Sequence, residues 1–434
     1  MLNTKIEKAV FGLYDLLWKA LIPFLRRSKR LREGFQQRKL ADANPMQADL
    51  WIQSASVGEA YLAWELLKKL RPENALRVVL TTNTSQGLDI LNQAVQELSK
   101  SASKVVAWTR YFPFDGPTIM RKAAQHMQPK LVLLLETEIW PGLLYTMKQA
   151  QCPVVLVNGR VTPQSLGAYM LWRSLWYRLR PQRILAVSAD NADRFAKLFG
   201  PSRVGVMANM KFDRLGVAID ASQSHANLDK ILVPGAPFLV LGSIRQPEEK
   251  DVAKIIREIH RRRPQVTIGL FPRHMQRLDY WQRILNRLQV SWSLRSRLKE
   301  PAPKGSVILW DIFGELNTAY GKAQAAFIGG SLAPLGGQNF LEPLLNGVSP
   351  VIGPYWDNFK WVGPEIMDTA IVLQASSWIE VADLLIEGLT NPLDREWVIQ
   401  KAKTYVKDRR GGTREVCRLI DDYLRNGRSY ETIA

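Results

Sequence analysis

The chain has 434 residues, too many for one ordinary core and enough for two domains of about 200 residues each. Its 46% hydrophobic and 23% charged content is ordinary for a soluble globular protein; Cys152 and Cys417, far apart and without CxxC or Cys/His spacing, argue against a disulfide framework or a zinc site and fit a reducing cytoplasm. Lys and Arg exceed Asp and Glu by 59 to 40, and a net charge of +19 calls for nucleic acid, an acidic membrane face or phosphorylated substrates unless the surface is merely basic.

Residues 9–25 (AVFGLYDLLWKALIPFL) are largely apolar yet carry Asp15 and Lys19. On a helix at about 100° per residue, Lys5, Lys8, Asp15, Lys19 and Arg26 fall within an arc of roughly 80°; Val10, Phe11, Leu13, Leu17, Trp18 and Leu21 occupy the rest. Arg26, Arg27, Lys29, Arg30 and Arg32 follow at once. The pattern predicts, for residues 1–32, an amphipathic helix and basic cluster lying on an anionic membrane surface. Spanning is the rival reading, but two mid-segment charges cost about 3 kcal/mol each. No small-x-small cleavage site follows, which argues against a signal peptide.

From residue 49 short apolar runs alternate with helical stretches. The predicted strands are 50–53, 77–81, 104–108, 131–136, 153–158, 183–188 and 204–207. The stretch 216–236, with scattered polar residues and then Pro234-Gly235, reads as a linker. A second series follows at 238–243, 266–271, 307–311, 325–330, 349–353 and 370–374, and residues 378–430 read as mostly helical. Strands flanked by helices imply parallel βαβ units, an α/β fold in two halves, and ligands beyond the carboxyl ends of the strands.

The residues at those strand ends carry the chemistry. Ser54-Ala55-Ser56-Val57-Gly58-Glu59 opens a helix after the first strand. Glu59 there either complements the helix dipole or serves as a general base for a hydroxyl. After the fourth strand, Glu136-Thr137-Glu138-Ile139-Trp140-Pro141 places two carboxylates where they must be ion-paired or functional. Lys211, in Asn209-Met210-Lys211-Phe212-Asp213, is either a solvated charge or a neutraliser of phosphate or carboxylate. In the second half Arg273, after Pro272, can fork onto a phosphate, and His274 reads as structural. Gly314-Glu315-Leu316 begins a helix. Gly329-Gly330-Ser331 and Gly336-Gly337-Gln338-Asn339-Phe340-Leu341-Glu342-Pro343 form a glycine-rich passage into a helix, an anion site in which Glu342 either caps the helix or grips ribose hydroxyls. Neither half opens on GxGxxG, and GxxxxGK[ST] is absent.

In this order SASVGE (54–59), TTNTSQG (81–87), PKLVLLLETEIWP (129–141), NGR (158–160), MKFD (210–213), FPRH (271–274), FGEL (313–316) and FIGGSLAPLGGQNFLEP (327–343) resemble the bacterial 3-deoxy-D-manno-octulosonic acid (Kdo) transferase family across roughly residues 50–360. The resemblance implies a GT-B fold, two Rossmann-like domains facing a central cleft. These would be an acceptor domain at 33–215 and a nucleotide-sugar domain with the C-terminal helices at 237–434. It implies an inverting transfer of Kdo from CMP-Kdo to a lipid A precursor in lipopolysaccharide biosynthesis. No metal or cofactor is implied, the place is the cytoplasmic face of the cell inner membrane, and nucleic acid is not a partner. The family's base maps to Glu59, its second acid to Glu136 and its lysine to Lys211. Its CMP contacts map to Pro272, Arg273, Gly314, Glu315, Leu316, Asn339, Phe340, Leu341 and Glu342. The usual G-G-H-N-P-L-E reads Gly336-Gly337-Gln338-Asn339-Phe340-Leu341-Glu342 here, with an imidazole and a proline lost. That departure keeps a GT-B enzyme with another activated sugar as a second reading. A basic, non-catalytic membrane- or nucleic-acid-binding scaffold is a third, but it gives no reason for Glu59 and Glu136.

Overall fold

The continuous apolar runs fold as buried parallel strands. A computed structural model describes residues 4–41, 46–214 and 228–426. Seven strands, β1 (Leu50–Ser54), β2 (Leu76–Thr82), β3 (Val105–Tyr111), β4 (Leu131–Leu135), β5 (Val154–Gly159), β6 (Arg183–Ala186) and β7 (Val204–Val206), form one sheet in the order β3-β2-β1-β4-β5-β6-β7. Seven more, β8 (Phe238–Ile244), β9 (Thr267–Pro272), β10 (Trp292–Leu294), β11 (Val307–Leu309), β12 (Ala325–Ile328), β13 (Pro350–Ile352) and β14 (Leu373–Gln374), form a second, β10-β11-β9-β8-β12-β13-β14. Every pairing is parallel. All thirteen strands expected from the sequence are present; β10, a three-residue edge strand, is additional. Its Trp-Ser-Leu run is too short and too mixed in polarity to mark a strand.

The period of two assigns the strand faces. Leu50 and Ile52 enter one core with Val78, Leu80, Leu131 and Leu133, while Trp51, Val79, Val132 and Leu134 enter the core on the other face. In each sheet the chain order reverses beside the first strand, between β1 and β4 and between β8 and β12. Such switch points open a crevice at the strands' carboxyl ends.

The division of the chain differs from the expected one at both ends. One unit is Met1–Arg214 with Arg409–Ala434; the other is Leu215–Asp408. Of the linker expected at 216–236, residues 216–227 lie outside the described residues; Leu228 and Ile231 are buried. The closing helix, Gly412–Asn426, was expected with the second half but returns to the first, burying Val416, Cys417, Ile420 and Tyr423 in the core with Leu50. Asp213 clasps the returning chain, accepting the Gly411 and Thr413 N–H groups at 2.9 and 2.7 Å. Its amphipathic pattern specified a buried face without saying whose.

The N-terminal helix, Thr4–Leu25, is not a separate element, and its two-sided reading is corrected. Phe11 and Trp18, assigned to the lipid face, pack on the protein. The Phe11 ring stacks on Tyr145 at 4.0 Å, and Trp18 lies 5.8 Å from Phe114. Asp15 leaves the solvated arc to accept the Thr118 N–H and hydroxyl, each at 2.7 Å. Glu7 is buried between Lys148 (2.8 Å) and Arg178 (2.9 Å), and these cations hold its carboxyl below the usual range against the opposing effect of burial. The helix therefore has three sides: a docked side, a cationic edge with Lys5, Lys8 and Lys19, and an exposed stripe of Leu13, Leu16, Leu17, Leu21 and Phe24. Among the described residues no helix is long and apolar enough to cross a membrane.

The Pro141–Gln149 helix begins after Trp140, which offers no side-chain cap. Asp115 supplies the cap from a distance: its carboxylate accepts the Gly142 and Leu143 N–H groups, each at 2.8 Å, and the Tyr14 hydroxyl at 2.9 Å. Gly142 is required here, because a Cβ would meet the Asp115 carbonyl oxygen at 1.9 Å. Asp115→Ala removes three acceptor contacts at a fully buried site and should cost about 3 kcal/mol. Urea denaturation monitored by circular dichroism checks this, and an unchanged midpoint would refute the remote-cap assignment.

Candidate active site

In the first unit the carboxyl ends of β1 and β4 and the turn after β7 bring Glu59, Glu136 and Lys211 together. Ser56 caps the Val57–Lys69 helix, its Oγ accepting the Glu59 N–H at 3.4 Å. The Glu59 carboxylate in turn accepts the Ser56 hydroxyl at 3.0 Å and the Ala55 N–H at 2.6 Å. The dipole-complementing geometry is thus present, and it also fixes the carboxylate. Glu59 is 8% exposed. Burial first, and then the like charge of Glu138, pushes its carboxyl up to about 8, against the lowering by the Ala55 bond. A carboxyl poised near the pH of the medium is suited to accept a proton.

Glu136 is paired, as its burial requires: Lys211 Nζ lies 2.6 Å from Oε1 and Arg160 Nε 3.0 Å from Oε2. Burial lowers the Lys211 ammonium, and the Glu136 charge opposes that shift, with Glu59 contributing in the same sense. Glu136 has φ 57° and Asn158, at the end of the adjacent strand, φ 55°, both left-handed. Two non-glycine residues held there at neighbouring strand ends mark a constrained site. Asn158 Oδ1 accepts the Met210 N–H at 2.9 Å and so fixes the turn that carries Lys211.

Three further residues contribute: Glu138 is the second of the two carboxylates noted after the fourth strand, while Arg160 and Glu248 had not been singled out. Arg160, inside the NGR string, is the second cation on Glu136. Glu138 accepts Gln53 Nε2 at 2.9 Å and Trp140 Nε1 at 2.6 Å, and burial raises its carboxyl. Glu248 in the second unit is the third. All follow strands directly, the one signal the sequence carried for them.

In the second unit Glu248, after β8, reaches across the β8/β12 switch point. Its carboxylate accepts the Gly330 N–H, the Leu332 N–H (3.3 Å) and the Arg245 N–H (2.9 Å). It thereby holds the glycine-rich loop, where Gly330 has φ 69°. Asn339 Nδ2 donates to Glu342 Oε1 at 2.8 Å, and Asn339 Oδ1 accepts the Leu341 N–H at 3.2 Å. The helix entered here, Leu341–Leu345, is only five residues long. Burial raises the Glu342 carboxyl while the positive charge of Arg273 lowers it, which places these two expected site residues in one electrostatic neighbourhood. Arg273 is exposed, with its N–H on the Ile244 carbonyl, and Pro272 ends β9.

Other expected contacts turn inward. The Phe340 ring is fully buried against Phe359 and Trp356, and the Leu341 side chain is buried too. Glu315 makes a two-pronged pair with Arg295 (2.8 Å each) and accepts Trp310 Nε1 at 2.9 Å. These three side chains support the loops, and at Gly314 a Cβ would meet nothing. Gln338 donates to the Gly337 carbonyl at 3.3 Å. Among the described residues no three His, Cys, Asp or Glu side chains are grouped as a metal cage.

The profile of the 3-deoxy-D-manno-octulosonic-acid transferase (kdotransferase) family matches residues 27–214, the part that holds Glu59, Glu136 and Lys211. The chain is 29% identical over 427 residues to the 3-deoxy-D-manno-octulosonic acid transferase of Bordetella pertussis, covering 96% of this chain and 98% of that one. It is 27% identical to the Haemophilus influenzae transferase, covering 92% of each. The chain is similar to Kdo transferases over nearly its whole length. It is a glycosyltransferase of GT-B type. A glycosyltransferase from Rickettsia africae shares its fold at TM-score 0.54 and 9% identity, covering 88% of this chain and 100% of that one. A UDP-N-acetylglucosamine 2-epimerase does so at TM-score 0.54 and 13%, covering 90% and 99%.

Proposed function

We propose that this protein transfers Kdo from CMP-Kdo to a hydroxyl of the lipid A precursor, with inversion and without a metal, at the cytoplasmic face of the inner membrane. The observation that carries the reading is the buried, doubly hydrogen-bonded Glu59 beside the Glu136–Lys211 pair, inside the segment that matches the family. Glu59 takes the proton of the acceptor hydroxyl as its oxygen attacks the anomeric carbon. CMP departs from the opposite face, which inverts the configuration. Glu136 holds Lys211 and Arg160 in place, and their charges favour anionic substrate groups and the ionised form of Glu59. In the second unit Arg273 and the loop tied down by Glu248 hold the nucleotide, with Asn339 and Glu342 at its ribose.

The test is a donor screen on purified protein with a lipid A precursor, following CMP release and the mass of the lipid product. Kdo addition from CMP-Kdo, unaffected by EDTA, is the expected result, with the anomeric configuration read by NMR. Absence of CMP release sinks the assignment. Turnover with a UDP-sugar instead favours another activated sugar, the reading motivated by Gln338.

A further inference from the structure

Beside the β8/β12 switch point the second unit sets two arginines at neighbouring strand ends. Ile244 of β8 pairs in register with Pro272 of β9, and the Arg273 N–H donates to the Ile244 carbonyl at 2.8 Å. Arg245 and Arg273 therefore leave adjacent strands side by side, about 5 Å apart at the backbone. Their surroundings differ. The charge of Arg273 is felt at Glu342, on the ribose side of the nucleotide site. Arg245 lies instead against the glycine-rich loop. Its Cδ is 3.5 Å from where a Cβ on Gly330 would stand, and Cγ and Nε2 of Gln338 are each 3.3 Å from the same point. Arg245 is half-buried, and among the described residues no carboxylate pairs with its guanidinium. The neighbouring acids are engaged: Glu248 by three backbone N–H groups, one of them that of Arg245, and Glu249 by Arg277 at 2.5 Å. We infer that Arg245, with Gln338 beside it, binds the carboxylate of the donor's sugar.

The assignment rests on the proposed CMP-Kdo donor and sharpens it. In an ulosonic acid the carboxylate stands on the anomeric carbon, the same carbon that bears the phosphate oxygen of CMP. Two anions joined through one carbon call for two neighbouring cations. Arg273, on the side of the ribose contact, is placed for the phosphate, which leaves Arg245 for the carboxylate. Its planar guanidinium fork matches a planar carboxylate. The Gln338 amide has two N–H donors and spends one on the Gly337 carbonyl, so it can add another contact. Gly330, with φ 69°, keeps the space between the two side chains open, because any Cβ there would crowd both. Glu248 fixes the spacing by accepting the N–H groups of Arg245 and Gly330 on one carboxylate oxygen. A UDP-hexose has no carboxylate and would leave Arg245 without its anion, so the same residue selects against such donors.

CMP and CMP-Kdo are titrated separately into the full-length protein by calorimetry, without acceptor. The native protein should bind CMP-Kdo more tightly than CMP. Arg245→Gln should weaken CMP-Kdo binding by about tenfold or more, as the loss of a charged hydrogen bond does, and should leave CMP binding unchanged. The unchanged CMP affinity also reports an intact nucleotide loop. Arg245→Lys keeps the charge without the fork and should recover part of the loss, which a purely structural role would not allow. Gln338→Leu should show a smaller loss, again confined to CMP-Kdo. Arg273→Gln should weaken both ligands. Equal weakening of both in Arg245→Gln overturns the inference and gives Arg245 to the phosphate; unchanged binding of both overturns it as well. If the native protein binds CMP and gains nothing from the sugar, the carboxylate contact falls while the nucleotide site stands. If it binds neither ligand, the transfer reading falls too.

Discussion

Glu59→Gln should lower the turnover of Kdo transfer by about 10²- to 10⁴-fold, the contribution of a positioned general base, while nucleotide binding by the second unit persists. The amide keeps the shape of the side chain and one acceptor for the Ala55 N–H, so the helix start survives. It cannot take a proton. Two pH dependences follow from a carboxyl held at about 8. In the native enzyme the rate should rise with pH through a midpoint near 8, because only ionised Glu59 accepts the proton. Stability should move the other way. The folded-state pKa lies above the ordinary value of 4.5, so the contribution of Glu59 is fully present below about 4.5 and is lost as pH rises through about 8. Glu59→Gln removes that dependence. At about 1.4 kcal/mol per pKa unit, the variant should exceed the native protein in stability by up to a few kcal/mol at pH 9, with the gap shrinking toward pH 4. Rate profiles and thermal melts across pH 4–9 measure both. Near-normal turnover in the variant would falsify the base assignment, and parallel stability curves would remove the burial argument beneath it.

Lys211→Met should be the second most damaging change. Among the described residues the buried Glu136 carboxylate would keep only Arg160 as an ionic partner, and breaking a buried pair on one side typically costs about 3–5 kcal/mol. Arg160 remains, so a loss near the lower bound is expected, together with a fall in turnover. The informative comparison is the double variant Glu136→Gln with Lys211→Met. Removing the charge along with its partner should restore most of the stability, because no unpaired carboxylate is left, but should restore none of the activity. Urea midpoints for the two single variants and the double variant give the coupling directly. Strictly additive losses would show that the pair does not act as a unit.

Much of this could be read before any coordinates. Runs such as Leu131–Leu135, buried on both faces, have no other good solution than a central parallel strand. The strings that carry the family likeness stand where such strands end. Glu59, Glu136, Lys211 and Arg273 were each located by that rule. Their partnerships were not legible: Glu136 and Lys211 are 75 positions apart, and nothing local links them. Phe340 and Leu341, matched to the nucleotide site by motif, prove to be supports whose side chains enter the core. Glu248 went unremarked because its role depends on a loop some 80 residues further on.

Hydrophobic period and strand-end position alone determined the two α/β series, all strands but the short β10, and the residue types available for acid–base and anion chemistry. Each of these is encoded within a few neighbouring residues. Only the tertiary structure decided that the β1/β4 switch point gathers Glu59, Glu136 and Lys211, that the last helix returns to the first unit, and that one flank of the N-terminal helix docks on protein. An amphipathic pattern states how much surface a helix must bury. The surface that receives it is chosen by the packing of segments distant in the chain, where charge pairing and steric fit are settled together.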